Sequence, residues 1–169
     1  MSAESDEEFR EFMRGRWPAM VRLAYGLTGD RGLAEDLAQT TLANVYASWP
    51  KVSRASSPDA YTFRMLLNAN NGRFRKRRVA EQPAEAVPEP EAGGPDPTDA
   101  VDERTVLMSA LMELAPRQRA TVLLRYFEDL SEAQTAEILG CSVGTVKSQT
   151  SSALARLRQS PHLAEGGAR

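Results

Sequence analysis

The segment 80–103, near the middle of the sequence, constrains most strongly what this chain can fold into. It holds five prolines, two adjacent glycines, eight acidic residues and no Lys or Arg, and its only larger apolar residues are Val87 and Val101. Such a segment buries too little apolar surface to offset the entropy lost on ordering, and its like charges extend it further. The sequence therefore predicts two folded units, residues 1–79 and 104–160, joined by a flexible, disordered acidic linker.

Charge is distributed unevenly between these parts. Residues 1–79 carry 13 basic and 9 acidic side chains (+4), residues 80–103 carry −8, and residues 104–169 carry 8 basic and 6 acidic side chains (+2). The formal net charge of −2 thus comes from the linker. A chain average hides such segregation, so the acidic total does not argue against a nucleic-acid partner.

Several classes of protein are excluded by composition. Cys141 and His162 are the only residues of their types, which leaves no intrachain disulfide and no thiolate-rich zinc site. A glycine-rich phosphate loop and a paired acidic motif are also absent, so we expect no metal, no cofactor and no enzyme activity. No apolar run reaches the roughly 20 residues that span a bilayer, and the acidic start, Ser2 to Glu11, is unlike a signal peptide. The sequence predicts a cytoplasmic protein without membrane insertion.

The first block reads as helices. Apolar residues from Phe9 to Leu27 follow a 3.6-residue period that stops at Thr28-Gly29. Asp30 is placed to cap a second helix, which we expect to end at Pro50. A polar loop at 53–57 follows, and Ser57-Pro58 opens a third helix that runs into the basic residues ending at Arg78.

The second block also reads as helices, in shorter pieces. A first apolar face covers 106–114, Pro116 restarts the chain, and Val122, Leu123, Tyr126 and Phe127 form the next face. Ser131 and Gln134 then fit a capping box for a short helix ending at Leu139.

Gly140 suits the left-handed position after a helix, and Ser142 can cap a further helix that turns Val143, Val146, Thr150, Ala153, Leu154 and Leu157 inward. A short helix, a glycine turn and a longer helix form the helix-turn-helix plan, and residues 161–169 read as a flexible tail. The fold class is therefore all-α, with a helix-turn-helix in the C-terminal domain.

In a helix-turn-helix the second helix enters the DNA major groove. Its outward residues here are polar: Thr145, Lys147, Ser148, Gln149, Ser151 and Ser152. Lys147 suits a phosphate or a guanine edge, and Gln149 suits adenine. The alternative is an ordinary helical hairpin with a polar outer face, so a second DNA signal is needed.

The second signal lies at the end of the third helix. Arg73, Arg75, Lys76, Arg77 and Arg78, together with Arg64, give six positive charges and no acid over 64–78. Such a run can also be a solvated face or a favourable helix C-terminus. The amides Asn68, Asn70 and Asn71 favour nucleic acid, because an amide both donates to and accepts from phosphates and unstacked base edges.

Three segments together resemble one protein family. The residues AEDLAQTTLANVYASW, DAYTFRMLLNANNGRFRKRR and LSEAQTAEILGCSVGTVKSQTSSALARLR occur in the order found in the extracytoplasmic-function (ECF) group of sigma-70-type RNA polymerase sigma factors. The resemblance covers nearly all of 9–159, and Gln149 is similar to an actinobacterial subgroup. It implies that the protein recruits core RNA polymerase to promoters and opens the start site.

The resemblance also implies residue roles. Asp36, Gln39 and Thr40 would face the clamp helices of the largest polymerase subunit, although the family commonly has Glu at the position of Thr40. The loop with Ser53, Arg54 and Ser56, together with Asn68, would capture a base flipped from the minus-ten element, while Asn71 and the basic helix end hold the neighbouring backbone. Flipping a base out of the stack costs a few kcal/mol, which the contacts between the protein and the captured base offset. The helix after Ser142 would read the minus-thirty-five element, but Ser152 replaces a common Arg, so promoter sequence does not transfer.

Partners implied by the resemblance are promoter DNA, core polymerase at its clamp helices and flap region, and an anti-sigma factor. The linker is then either a plain tether or an acidic strand that shields the basic segments until DNA displaces it. The competing function is a stand-alone helix-turn-helix regulator, which would need neither a polymerase-facing helix nor a melting helix. Such regulators usually dimerise, and no dimer helix is evident.

Overall fold

The computed structural model describes residues 1–80 and 103–166, with side chains described for 1–73 and 104–163. Within this part of the chain the regular structure is helical, as the sequence predicts. The N-terminal domain contains α1 (Ala3–Thr28), α2 (Arg31–Ala47), α3 (Trp49–Arg54) and α4 (Pro58–Ala80). The C-terminal domain contains α5 (Glu103–Met112), α6 (Pro116–Val122), a π-helical turn (Leu123–Phe127), α7 (Glu132–Leu139), α8 (Val143–Arg158) and α9 (Pro161–Gly166).

Local signals set most of the helix ends in the N-terminal domain. The Ser2 hydroxyl accepts from the Ser5 N–H at the start of α1, and Gly29 ends that helix at φ 69°. Asp30 accepts from the Leu33 N–H at 2.8 Å, and Ser57 accepts from the Ala60 N–H at 3.1 Å. Each such cap is worth about 1 kcal/mol. The predicted starts of α2 and α4 are therefore confirmed.

One predicted end in this domain is wrong. We expect the second helix to continue to Pro50, but α2 ends at Ala47 and Ser48 leaves the helical conformation. Pro50 instead lies in the first turn of α3, where its missing N–H costs nothing. As a result, Ser53 and Arg54 belong to a helix and not to the predicted polar loop.

The core of the N-terminal domain joins α1, α2 and α4. Met20, Leu37 and Leu66 are fully buried where these helices meet. An aromatic group joins α3 to α1. The Trp49 ring lies 5.6 Å from the Phe9 ring and 5.3 Å from the Phe12 ring. This packing fixes α2 and α4 against α1 and leaves one face of each toward solvent.

The helix-turn-helix forms as predicted. Ser131 Oγ accepts from the Gln134 N–H at 3.0 Å, while the Gln134 side chain accepts from the Ser131 N–H at 2.8 Å. Gly140 ends α7 in the left-handed conformation at φ 67°, and Ser142 Oγ accepts from the Thr145 N–H at the start of α8. Val146 and Ala153 are fully buried, but Val143 is 39% exposed and does not face inward as predicted.

The π-helical turn overturns another predicted face. The Glu128 N–H bonds to the Leu123 carbonyl, five residues earlier, which rotates the following side chains relative to an α-helix. Leu123 and Leu124 are buried, whereas Tyr126 and Phe127 are 53% and 40% exposed. A regular 3.6-residue period does not anticipate this rotation.

Two predicted boundaries differ slightly from the structure. Ala80 is still in α4 and Glu103 is already in α5, while 81–102, the rest of the predicted linker, lie outside the described residues.

The C-terminal segment also differs from the prediction. The sequence predicts a flexible tail after residue 160, but residues 161–166 form α9, which packs on α5. His162 Nε2 of α9 lies 3.0 Å from Glu113 Oε1, a contact that sequence alone does not show.

The two domains pack against each other. Buried side chains from α1 and α4 form one continuous apolar core with buried side chains from α5, α6 and the π-helical turn. The sequence predicts two folded units joined by a linker and does not anticipate that they pack together. Across the described residues, no helix is long and apolar enough to cross a membrane.

Candidate nucleic-acid and polymerase interfaces

The predicted polymerase-facing residues form one exposed patch on α2. Asp36, Gln39 and Thr40 all point to solvent, while the neighbouring Leu37 and Thr41 are fully buried. Residues three and four apart lie on the same side of a helix, so the three polar side chains form a continuous surface. The patch presents one negative charge and two neutral polar groups.

The start of α4 is held by an ion pair from α1. Arg16 donates through Nε and Nη2 to the Asp59 carboxylate, and the guanidinium also lies over the Phe12 ring at 5.3 Å. The hydrogen bond to Asp59 raises the pKa of Arg16 above its usual value. This pair fixes the N-terminal turn of α4 beside Ser53, Arg54 and Ser56, all of which are exposed.

A polar stripe runs along α4. Arg64, Asn68 and Asn71 are exposed at positions i, i+4 and i+7, which places them on one face. Asn70 points the other way and is 6% exposed. The structure therefore brings the predicted minus-ten residues of this helix together and separates Asn70 from them.

Arg73 has a structural contact that the sequence does not suggest. Its side chain is half-buried, and Nη1 donates to the Leu33 carbonyl at 3.2 Å, tying α4 to the start of α2. The remaining basic residues of the run, Arg75, Lys76, Arg77 and Arg78, lie on α4, but their side chains are outside the described residues.

The predicted minus-thirty-five residues lie on α8. Lys147, Ser148, Ser151 and Ser152 are exposed, whereas Thr145 and Gln149 are half-buried. Thr145 Oγ1 lies 2.9 Å from Ser142 Oγ, so this hydroxyl already has a partner in the helix cap. Among the predicted residues, those open to a major groove are thus one cation and three small hydroxyls.

Sequence reasoning misses Arg119, the most highly connected cation among the described residues. This side chain is 5% exposed and donates four hydrogen bonds to backbone carbonyls. Three acceptors lie at the end of α5 or just after it, Leu111 at 2.9 Å, Met112 at 3.0 Å and Leu114 at 3.0 Å. The fourth is Leu27 of α1 at 3.1 Å. Burial lowers the pKa of Arg119 below its usual value.

Comparisons with known proteins identify the family of the chain. A family model described as "Sigma-70 region 2" matches residues 16–79, and one described as "Sigma-70, region 4" matches residues 104–157. The RNA polymerase sigma-E factor of Streptomyces coelicolor is 41% identical over 152 residues, which cover 90% of this chain and 85% of the relative. The ECF RNA polymerase sigma factor SigL of Mycobacterium tuberculosis is 31% identical over 140 residues, 81% of this chain and 79% of the relative.

Solved structures show the same fold. The sigma factor RpoE, crystallised with the anti-sigma factor NepR from Bartonella quintana, has a TM-score of 0.71 and 28% identity, covering 90% of this chain and 96% of that one. CnrH in complex with the cytosolic domain of CnrY has a TM-score of 0.67 at 20% identity, covering 96% and 91%. At that identity the second likeness bears on the fold alone.

Proposed function

The chain belongs to the extracytoplasmic-function group of sigma-70-type RNA polymerase sigma factors, and from this premise we propose how its surfaces serve promoter-specific initiation. Sigma factors are transcription initiation factors, and the polymerase itself makes the RNA. The N-terminal domain, 1–79, binds core polymerase and the minus-ten element. The C-terminal domain, 104–160, reads the minus-thirty-five element.

Core polymerase binding is assigned to the α2 patch of Asp36, Gln39 and Thr40. The support is geometric, because all three side chains are exposed on a helix that α1 and α4 hold rigidly from behind. A single carboxylate among neutral groups suits a basic or amide-rich helix such as a clamp helix. Rigid presentation also limits the side-chain entropy lost on binding.

Promoter melting is assigned to the α4 stripe and to the α3–α4 junction. Arg64 and Asn71 are placed for the sugar-phosphate backbone, and Asn68 lies between them for a base taken out of the stack. The N-terminal end of α4 is preceded by the exposed residues Ser53, Arg54 and Ser56. Binding an unpaired base offsets the unstacking cost of a few kcal/mol, so the duplex opens without nucleotide hydrolysis.

Upstream recognition is assigned to the exposed face of α8. Lys147 lies on that face, with Ser148, Ser151 and Ser152 around it and the half-buried Thr145 and Gln149 beside them. Serine hydroxyls donate to or accept from most partners, so the shape of the groove contributes to recognition here together with base edges. The flap region of the polymerase is the protein partner of this domain.

An anti-sigma factor is the third partner of the proposal. The solved structure of the RpoE sigma factor, 28% identical to this chain, is a complex with an anti-sigma factor. The same class of partner would hold this chain away from core polymerase.

The observation that carries the proposal is the combination of two domains in one chain. A stand-alone regulator needs only the helix-turn-helix, yet the N-terminal domain matches sigma-70 region 2 and exposes the α2 and α4 surfaces. That alternative is not favoured.

Run-off transcription tests the function directly. Core polymerase and a promoter library are incubated with and without the protein, and specific transcripts are expected only when it is present. The matched control is the Asp36→Arg, Gln39→Arg variant, which should give none. If the unmodified protein gave no specific transcript, the proposed function would be wrong and a stand-alone DNA-binding regulator would be favoured.

A further inference from the structure

A cavity of about 630 Å³ lies between α1, the start of α2, α5 and the π-helical turn. Cavities of roughly 300–1,000 Å³ commonly hold small organic molecules. The residues assigned above to polymerase and DNA lie elsewhere, and none of them is among the described residues that line this cavity. The proposed function therefore gives the cavity no role.

The walls of the cavity are mainly apolar. They include side chains from three helical segments: Val21 of α1, Leu107, Met108 and Leu111 of α5, and Leu123 and Phe127 of the π-helical turn. Phe127 is 40% exposed although it is large and apolar, and its position gives the cavity an aromatic wall. The flexible thioether of Met108 can adapt to apolar ligands of varied shape. The interior therefore favours a hydrocarbon chain over a polar molecule.

One side of the cavity is closed by a close contact between the two domains. Gly26 of α1 and Leu123 of the π-helical turn both line it, and a Cβ on Gly26 would lie 2.5 Å from a Leu123 methyl group. Only hydrogen at position 26 allows α1 and the turn to approach this closely. The apolar end of a ligand would thus meet a tightly packed wall.

The charged residues around the cavity are mostly basic. Arg22, Arg31 and Arg104 line it and are exposed, whereas Glu35 is the one acidic residue among the described lining residues. Arg22 already contacts Glu128 through two N–O pairs of 3.0 Å. Arg31 and Arg104 lie in the first turns of α2 and α5, where the helix dipole also favours negative charge. The rim therefore favours an anion beside Arg31 and Arg104.

An apolar interior with a basic rim is complementary to an amphiphilic anion. A nucleotide or a sugar phosphate is polar along most of its length and would leave the apolar walls uncovered. A single-chain carboxylate fits both parts, because its chain buries apolar surface while its head group accepts charge-assisted hydrogen bonds from guanidinium groups.

We propose that this cavity binds the free carboxylate of a medium- or long-chain fatty acid, with the chain between α1 and α5 and the head group at Arg31 and Arg104. Residues of both domains line the cavity, so the bound molecule contacts both. A ligand that binds only the folded chain stabilises it by mass action. The proposal does not depend on the assignments to polymerase and DNA.

Titration calorimetry of the full-length protein with decanoate, kept below its micelle-forming concentration, tests the site. Butyrate shares the head group but has a short chain, and decyltrimethylammonium shares the chain length but has the opposite charge. Decanoate should bind at one site, and each of the other two should bind more weakly by about tenfold or more. Decanoate should also raise the thermal midpoint of the protein. No saturable binding of decanoate, or equal affinity for all three compounds, would overturn the proposal.

A pair of charge variants tests the position of the head group. Arg31→Gln, Arg104→Gln should weaken decanoate binding by about tenfold and should not weaken binding of decyltrimethylammonium. Arg10→Gln, Arg14→Gln is the matched control, since it removes the same charge from exposed positions of α1 outside the cavity. The control should bind decanoate within about twofold of the unmodified protein. Equal weakening in both double variants would contradict a head-group contact at Arg31 and Arg104.

A filled cavity tests the position of the chain. Met108 and Met112 lie one turn apart on α5, but only Met108 lines the cavity, and Met112 is 39% exposed. Met108→Trp should weaken decanoate binding by about tenfold or more and remove the rise in thermal midpoint, whereas Met112→Trp should retain both. Circular dichroism confirms that each variant stays helical. A folded Met108→Trp protein with unchanged decanoate affinity would overturn the proposal.

Discussion

Arg119 of α6 donates a hydrogen bond of 3.1 Å to the carbonyl of Leu27, the penultimate residue of α1 in the other domain. The same guanidinium donates to three carbonyls around the end of α5. A cation at two helix C-termini also complements both helix dipoles. This one buried side chain therefore supports the fold of its own domain and the docking of the two.

Replacing Arg119 with Met should lower the free energy of unfolding by about 3 kcal/mol, because four buried carbonyls lose a charged donor. Urea denaturation followed by circular dichroism measures the change. Arg117→Met is the matched control, since Arg117 is exposed and makes a single 3.4 Å bond to the Leu139 carbonyl. Its effect should stay below about 1 kcal/mol, and equal losses in both variants would contradict the special role of Arg119.

The two glycines Gly15 and Gly140 should respond oppositely to alanine. Gly15 lies inside α1 with open space around its Cβ position, so Gly15→Ala should raise the free energy of unfolding by about 0.5–1 kcal/mol. Gly140 ends α7 at φ 67°, a conformation that a Cβ disfavours, so Gly140→Ala should lower it by about 1 kcal/mol. Thermal denaturation of both variants checks the pair, and a gain at Gly140 would contradict the left-handed turn.

Asn68→Ala should impair promoter opening by a factor of ten or more, about 1.4 kcal/mol, and leave core polymerase binding nearly unchanged. Its amide lies centrally in the α4 stripe, away from the α2 patch. Permanganate reactivity of unpaired thymines measures opening, and a pull-down with core polymerase measures docking. A parallel loss of both would mean that Asn68 supports the fold of α4 instead of contacting DNA.

Changing Asp36 and Gln39 together to Arg should abolish core polymerase binding, because the patch would present two cations to the surface that now meets one anion. Both side chains are exposed, so the helical circular dichroism signal should not change. Glu11→Arg, an exposed charge reversal on α1, is the control and should bind normally. Intact binding by the double variant would move the docking surface away from α2.

Lys147→Ala should weaken duplex binding and reduce the slope of log affinity against log salt by about one, the value for a single lost phosphate contact. Lys51→Ala removes an exposed lysine from α3 and should leave the upstream slope unchanged. Titrations at several salt concentrations with an upstream promoter duplex measure both. A constant slope for Lys147→Ala would show that this lysine makes no phosphate contact.

Features set by neighbouring residues could be predicted from the sequence. The caps at Asp30, Ser57, Ser131 and Ser142 and the left-handed glycine turns each need only three or four consecutive residues, so the starts of α2, α4, α7 and α8 and the helix-turn-helix itself follow from local chemistry. The exposure of the proposed site residues on α2 and α4 follows in the same way, because the periodicity that buries Leu37 and Leu66 turns the polar residues outward, whereas their roles are implied by the family resemblance.

The features that the sequence does not reveal depend on distant partners. Arg119 reads as a surface cation of a helix, and only the carbonyls of α1 and α5 explain its burial. In the π-helical turn a hydrogen bond spans five residues instead of four, so the side chains no longer follow the α-helical period. Tyr126 and Phe127 are therefore exposed, although the period predicts that they are buried. The sequence does not show why residue 26 is a glycine, because the reason is its close contact with Leu123 of the other domain.

The aromatic group around Trp49 has a practical consequence for following how the two domains unfold. The chain has two tryptophans, Trp17 and Trp49, and both lie in the N-terminal domain. Indole emission therefore follows the unfolding of that domain alone, while far-ultraviolet dichroism follows helices of both. Superimposed curves would mean that the domains unfold as one cooperative unit, and separate curves would mean that the N-terminal domain unfolds independently of the other.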